Sequence, residues 1–258
     1  MQAITSQCPE WIYPFTGLTP RQFKRVVAVV RRRGGPVIAD RRPGRQWTLV
    51  LADRVLLLAV YYRTNLNMRQ VALLFGVSTT AAHRIIDRLA PLLDTEPVRR
   101  MGPDEICIVD GTLVPVHDRR MAASSKNYRH SVNLQVLIHA DKRLVLAVGE
   151  PMPGNRNDCT AYAESGIAAT AGRATVVADG GYQGTNCVMP HRRRAGQDRL
   201  EGWKEDHNAS HRRVRARVEH VFARMKNWKI LRDCRRKGRG VYWAAAGIAR
   251  FHNLALAG

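Results

Sequence analysis

The sequence predicts an all-α N-terminal part, residues 1–100, followed by an α/β part, residues 101–258. Three observations carry this prediction. Apolar residues recur at helical spacing through most of the first part. Short apolar runs at 105–118, 133–154 and 174–184 have the β-branched content of strands and end at Asp or Gly. Helical stretches at 158–170 and 210–231 are interleaved with them, the alternation that builds a helix-covered sheet.

Each element follows from local chemistry. Thr19-Pro20 opens an amphipathic helix with Phe23, Val26, Val27 and Val30 on one face, ending at Arg31-Arg32-Arg33-Gly34-Gly35-Pro36. Residues to about Gln46 are rich in Arg, Gly and Pro and read as an exposed basic loop. A second helix covers about Thr48 to Tyr62, with Leu49, Val50, Ala52, Val55, Leu56 and Ala59 inward. In residues 67–93, Val71, Leu74 and Phe75 form one short helix and Gly76-Val77-Ser78 breaks it. Ser78 then caps another helix with Ala82, Ile85, Ile86 and Leu89 buried. Two short helices about a Gly-containing turn form a candidate helix-turn-helix, with Ala72, Gly76 and Ile85 at its small, turn and apolar positions. Read so, Thr79, Thr80, His83, Arg84 and Arg88 face the major groove of DNA. The same stretch also fits a plain helical hairpin with solvated arginines.

Composition narrows the partners. Lys and Arg number 42 against 21 Asp and Glu, a net charge of +21 on 258 residues, and 45% of the chain is hydrophobic. That apolar content excludes a disordered chain. The charge surplus points to a polyanion, most simply nucleic acid. Arg-heavy coding explains Arg over Lys, but not the excess of cations over anions. The surplus is also uneven. Residues 1–103 hold 16 cations and 6 anions, 104–180 hold 8 and 9, and 181–258 hold 18 and 6. A near-neutral middle thus lies between two basic flanks. Cys8, Cys107, Cys159, Cys187 and Cys234 are scattered without zinc-ligand spacing and read as reduced thiols of a cytoplasmic protein. The N-terminus lacks a signal-peptide pattern, and the longest apolar stretch, Val55 to Tyr62, is too short to span a bilayer.

Three carboxylates stand out. Asp110 sits in the apolar strand around Ile106, Ile108, Val114 and Val116, where an unpaired charge is costly. Asp179 ends an apolar strand before Gly180-Gly181, a position where α/β folds place ligand groups. Glu219 lies on a helix whose apolar face is Val214, Val218, Val221 and Met225. At about 100° per residue, Arg215, Glu219 and Lys226 share one stripe beside that face. Arg213, Arg217 and Arg224 point elsewhere, free to touch phosphates. If that helix crosses the sheet, the three carboxylates converge. An all-oxygen set suits magnesium or manganese, and two such ions can serve in-line attack on phosphate. Asp158 is a fourth carboxylate, able to join the site or to cap the following helix. Tyr182 is a candidate base-stacking or core residue, Trp228 and Trp243 read as core, and His139 and His252 as hydrogen-bonded structural groups.

The chain resembles the DDE transposases of bacterial insertion sequences, in the branch allied to eukaryotic Harbinger elements. Valine-Asp110-Gly-Thr is similar to that family's first acidic motif, and Ala-Asp179-Gly-Gly-Tyr to its second. Glu219, with a downstream aromatic and Lys226, matches its third. Arg215, Glu219 and Lys226 fit a Tyr-Arg-Glu-Lys signature whose Tyr position holds Arg212 here. Pro153-Gly-Asn-Arg-Asn-Asp158, the closing Phe251-His-Asn253 and Gly17-Leu-Thr19 also match. The resemblance implies an RNase H-like core with a mixed sheet flanked by helices. It implies binding of double-stranded DNA at element ends and at the target by a homodimer or larger assembly. It further implies cleavage by water, strand transfer by the freed 3′-hydroxyl, and a bacterial protein associated with the nucleoid. Two other readings remain at this stage. One is a non-enzymatic helix-turn-helix regulator; the other is an RNase H-like nuclease that never joins strands.

Overall fold

The computed structural model describes residues 2–95 and 101–257. By contacts the chain divides into two compact units. One comprises residues up to Thr95 together with Met225–Gly258; the other runs from Glu96 to Arg224. The expected boundary at 100/101 falls beside residues 96–100, which lie outside the described residues. The C-terminal segment belongs by contacts with the first unit rather than with the sheet.

The helical unit begins with α1 (Ile12–Thr16) and α2 (Pro20–Ile38). Thr19 and Gln22 form a reciprocal capping box at the start of α2. The helix runs to Ile38, just past the expected end at Arg31-Arg32-Arg33-Gly34-Gly35-Pro36, through a kink at Gly35 (φ 53°), because glycine tolerates that backbone and Ile38 is buried beyond it. α3 (Leu51–Thr64) is buried along most of its length. Val50, expected inward, is the N-cap residue of α3 and is 46% exposed, whereas Leu49 is buried. Asp40 holds the entry to α3: its Oδ1 accepts from Leu51 N at 2.6 Å and from Arg54 Nη2 at 2.7 Å. α4 (Met68–Leu74) and α5 (Thr79–Leu89) follow about a turn at Gly76 (φ 62°). Ser78 Oγ accepts from Ala81 N, as its capping position predicts. Ala82, Ile85, Ile86 and Leu89 form the buried face of α5.

The second unit is built on a mixed five-stranded sheet. β1 (Ile106–Pro115) pairs antiparallel with β2 (Ser131–His139), which pairs antiparallel with β3 (Val145–Val148) and with β4 (Met152–Pro153). β5 (Thr175–Val177) pairs parallel with the other edge of β1. The β2–β3 turn at Asp141-Lys142 contains Arg143 at φ 55°, and His139 Nδ1 accepts from the amides of Asp141 and Lys142. His139 is thus the structural group expected. Between β4 and β5 lie α6 (Asp158–Glu164) and α7 (Ile167–Ala171), one expected helix broken at Gly166 (φ 82°). Tyr162, Ile167 and Ala171 pack with Cys107, Val109, Leu137, Val176 and Tyr182 in a core on one side of the sheet. α8 (Gly202–Lys226) begins earlier than the expected 210 and stops at 226; Lys229–Leu231 is a separate 3₁₀ turn. Val218, Val221 and Met225 are buried as predicted, and Val214 is half-buried.

α9 (Gly240–Leu256) completes the first unit. Gln22 Nε2 donates to Leu254 O, and Arg250 Nε donates to Leu93 O, so α9 is tied to both ends of the N-terminal helices. Trp228 stacks near Phe251 (5.0 Å) and is buried, while Trp243, read as core, is half-buried with Arg239 over its ring. His252 is buried as well.

Candidate functional site

Register brings the first two carboxylates together. Ile108 pairs with Val177 across the parallel β1–β5 ladder. Two residues further along each chain stand Asp110 and Asp179, at the same level of neighbouring segments. Asp179 lies beyond the end of β5, which stops two residues short of the expected strand end at Asp179, and its Oδ1 accepts from Gly181 N at 2.6 Å. Asp110 Oδ1 accepts from Gly111 N at 2.8 Å. Alternation along β1 turns Asp110 away from the Cys107–Val109 core face.

On that opposite face α8 supplies Arg215. Its Nη1 donates to Asp110 Oδ2 at 3.4 Å and its Nη2 to Glu219 Oε1 at 2.6 Å. One guanidinium therefore spans the first and third carboxylates. Glu219 keeps 55% of its side chain exposed, against 18% for Asp110. Arg217, expected to be free for phosphate, instead donates to Ala140 O and pairs with Asp141 at 2.7 Å. The β2–β3 turn carries that partner, which helical spacing alone does not reveal. Lys226 ends α8, and its carbonyl accepts from Arg232 Nε. His211 is buried on the same helix, with Nε2 2.9 Å from Ala178 O, the carbonyl just before Asp179.

Asp158 is held near both aspartates. It is not a cap: Asn157 Oδ1 accepts from Thr160 N in that role. Asp158 Oδ1 accepts from Asn133 Nδ2 at 3.0 Å and from Gln135 Nε2 at 3.1 Å. Gln135 Oε1 in turn accepts from the hydroxyl of Tyr182, which is fully buried. Tyr182 is thus a core residue and is not presented for base stacking. A Cβ on Gly111 would lie 2.6 Å from Asp158 Oδ1, so only glycine lets the Asp158 carboxylate reach β1. Asn133 and Gln135 were missed by sequence reasoning. Their signal was Ser131, Asn133 and Gln135 alternating in an otherwise apolar strand.

The electrostatics mark this cluster. Burial raises the Asp110 carboxyl to about 6; Gly111 N–H and Arg215 oppose the rise, and the nearby charges of Asp179 and Asp158 add to it. Carboxylates gathered this closely around Asp110, with no nitrogen or sulfur donor among them, fit a divalent cation. Among the described residues, no three His, Cys, Asp or Glu side chains already stand in a common coordination sphere.

In the helical unit, Thr79, Thr80, His83, Arg84 and Arg88 all lie on the exposed face of α5. His83 Nδ1 is 2.6 Å from Asp87 Oδ2, and Asp87 also pairs with Arg236. Arg88 stands over the Trp47 ring at 5.3 Å.

A cluster of carboxylates on a mixed sheet, together with a separate two-helix motif, suits a protein that acts on nucleic acid. The family model of the transposase DDE domain matches residues 101–254, and that of the helix-turn-helix of DDE superfamily endonucleases matches residues 47–98. The chain belongs to the DDE transposase family. It is 60% identical over 255 residues to the putative transposase for insertion sequence element IS112 of Streptomyces albus G, covering 99% of this chain and 98% of that one. It is 25% identical over 241 residues to the probable transposase for insertion sequence element IS702 of Microchaete diplosiphon, covering 83% and 86% of the two chains. The regulator and simple-nuclease readings are not favoured by these matches.

Proposed function

We propose that the chain binds the ends of its insertion sequence through α5 and cuts and joins DNA at the Asp110, Asp179 and Glu219 site. Residues 1–100 do the reading and 101–258 the chemistry. The antiparallel β1–β2–β3 ladder with a parallel strand on β1 supports an RNase H-like core. The observation that carries the chemical assignment is Asp110, partly buried in a strand, joined through Arg215 to Glu219, and raised first by burial and then by the charges of Asp179 and Asp158.

Asp110, Asp179 and Glu219 are the residues that would hold magnesium or manganese, as two ions. Such ions polarise phosphate and lower the pKa of an attacking oxygen. The chain's own groups prepare the site. Gly111 N–H fixes the Asp110 carboxylate, and Gly181 N–H fixes Asp179. Arg215 pairs with both Asp110 and Glu219, and we assign its exposed part to the DNA backbone. Lys226, seven residues after Glu219 in sequence, is the second cation of this helix assigned to DNA. Asp158, restrained by Asn133 and Gln135, raises the negative potential that attracts cations. We place the chain in the Harbinger-allied branch and expect a homodimer or larger assembly on DNA in the bacterial cytoplasm, at the nucleoid. No helix among the described residues is long and apolar enough to cross a membrane.

The test is Asp110→Asn. With magnesium present, the variant should bind end-containing duplex at wild-type affinity while nicking falls by at least 10³-fold. Undiminished nicking by the purified variant would remove Asp110 from the chemistry.

A further inference from the structure

The basic loop before α3 builds a cleft against the recognition helix. Asp40–Trp47 folds back on itself: Gly44 takes φ 80°, Arg42 Nη2 donates to Arg45 O, and Gln46 Nε2 donates to Gly44 O at 3.0 Å. Trp47 stands at the centre. Arg42, Arg54 and Arg88 each lie over its ring, at 5.6, 4.8 and 5.3 Å. Arg54 is neutralised by Asp40, to which it donates at 2.7 Å. The cavity of about 210 Å³ between the loop and α5 is lined by Arg42, Arg45, Arg84 and Arg88 and by no carboxylate. The nearest acid on α5, Asp87, is engaged by His83 and Arg236.

Two buried donors point to a ligand independently of the charge. Arg42 Nε and Trp47 Nε1 are buried donors without a hydrogen-bond partner in the protein. Buried donors left unpaired are costly, so a site that retains both suits an external acceptor. Four guanidiniums also repel one another unless an anion sits among them. The ring faces of Trp47 offset only part of that, since cation–π contacts are modest.

We propose that this cleft seats a backbone phosphate of duplex DNA beside the bases read by α5. A phosphodiester supplies acceptor oxygens for Arg42 and Trp47 and one negative charge for the arginines. It lies beside the base edges in a duplex, whereas a free phosphate would leave Arg84 and Arg88 without the groove they face. The inference rests on α5 being the DNA-reading helix. The loop is then a second contact that positions the protein without reading sequence.

The test uses the full chain and a duplex selected by the wild-type protein from a randomised pool, with affinity measured by fluorescence anisotropy across NaCl concentrations. Arg45→Gln removes only a charge, since the loop uses its carbonyl and not its side chain; Arg42→Gln also removes a loop bond. Each should weaken binding several-fold and make the slope of log affinity against log salt shallower by about 0.9, the loss of one phosphate contact. The selected sequence should not change. Arg84→Gln should instead alter the selected sequence. If Arg84→Gln acts and both loop variants bind with wild-type affinity and slope, the phosphate seat is overturned and the recognition helix stands. If neither class of variant affects binding, both fall. Competition by inorganic phosphate as effective as by duplex would also overturn the proposal, since it would mean a free-anion pocket.

Discussion

At the scale of single residues, position in the fold changes chemistry that the residue type alone does not specify. Gly111 is the sharpest case. A methyl there would lie 2.5 Å from Gln135 Nε2, 2.6 Å from Asp158 Oδ1 and 2.9 Å from Asn133 Oδ1. Gly111→Ala should therefore displace Asp158, cost ~1–3 kcal/mol in urea unfolding, and lower nicking. Wild-type stability with unchanged nicking would contradict that packing. The thiols give a second case. Burial raises Cys107 and Cys234 from 9.0 to about 11. Folding favours their protonated forms, so both should resist iodoacetamide at pH 8 and react fully only after denaturation, as read by mass spectrometry. Rapid labelling of either in the folded chain would show that it is not enclosed. Asp110 and Asp179 were legible in the sequence because a carboxylate in an apolar strand is anomalous. Asn133 and Gln135 were not singled out, because neutral amides in a strand look unremarkable until their partner Asp158 is seen.

At the scale of elements, caps and periodicity were read correctly where local chemistry decides, and boundaries shifted where long-range contacts decide. Ser78 caps α5 and Thr19 caps α2 because each uses only residues within one turn. Ser78→Ala should cost ~1 kcal/mol in thermal or urea unfolding, and weaken DNA binding by loosening the first turn of α5. By contrast, β5 stops at Val177 because only Thr175 to Val177 find partners on β1. α8 is placed by a contact that no periodicity shows, His211 to Ala178 O. That bond links the helix carrying Arg215 and Glu219 to the residue before Asp179. His211→Ala should lower kcat more than KM and cost ~1–3 kcal/mol of stability; His211→Gln, which keeps a donor, should recover part of both. Equal loss in the two variants would make the ring's volume, not the hydrogen bond, the cause. Arg217 teaches the same lesson, since its partner Asp141 lies on a turn 76 residues away.

At the scale of the whole molecule, charge is the dominant property. With 42 cations against 21 anions, duplex affinity should fall by about 10³-fold or more between ~50 and 200 mM salt if six or more phosphates are contacted. A nearly flat salt dependence would show that the basic flanks do not engage the backbone. Composition, the basic flanks around a neutral middle, the two-helix motif and the three spaced carboxylates were all determined by the sequence itself, because each depends on residue identity and local periodicity. Only the tertiary structure decided which groups meet. It joined Arg215 to both Asp110 and Glu219, tied Asp158 to Asn133 and Gln135, turned Tyr182 into a buried donor, and gathered Met225–Gly258 with the N-terminal helices. Those meetings join residues far apart in the chain, and their energy comes from burial, strand register and hydrogen-bond satisfaction, which exist only once the chain has folded.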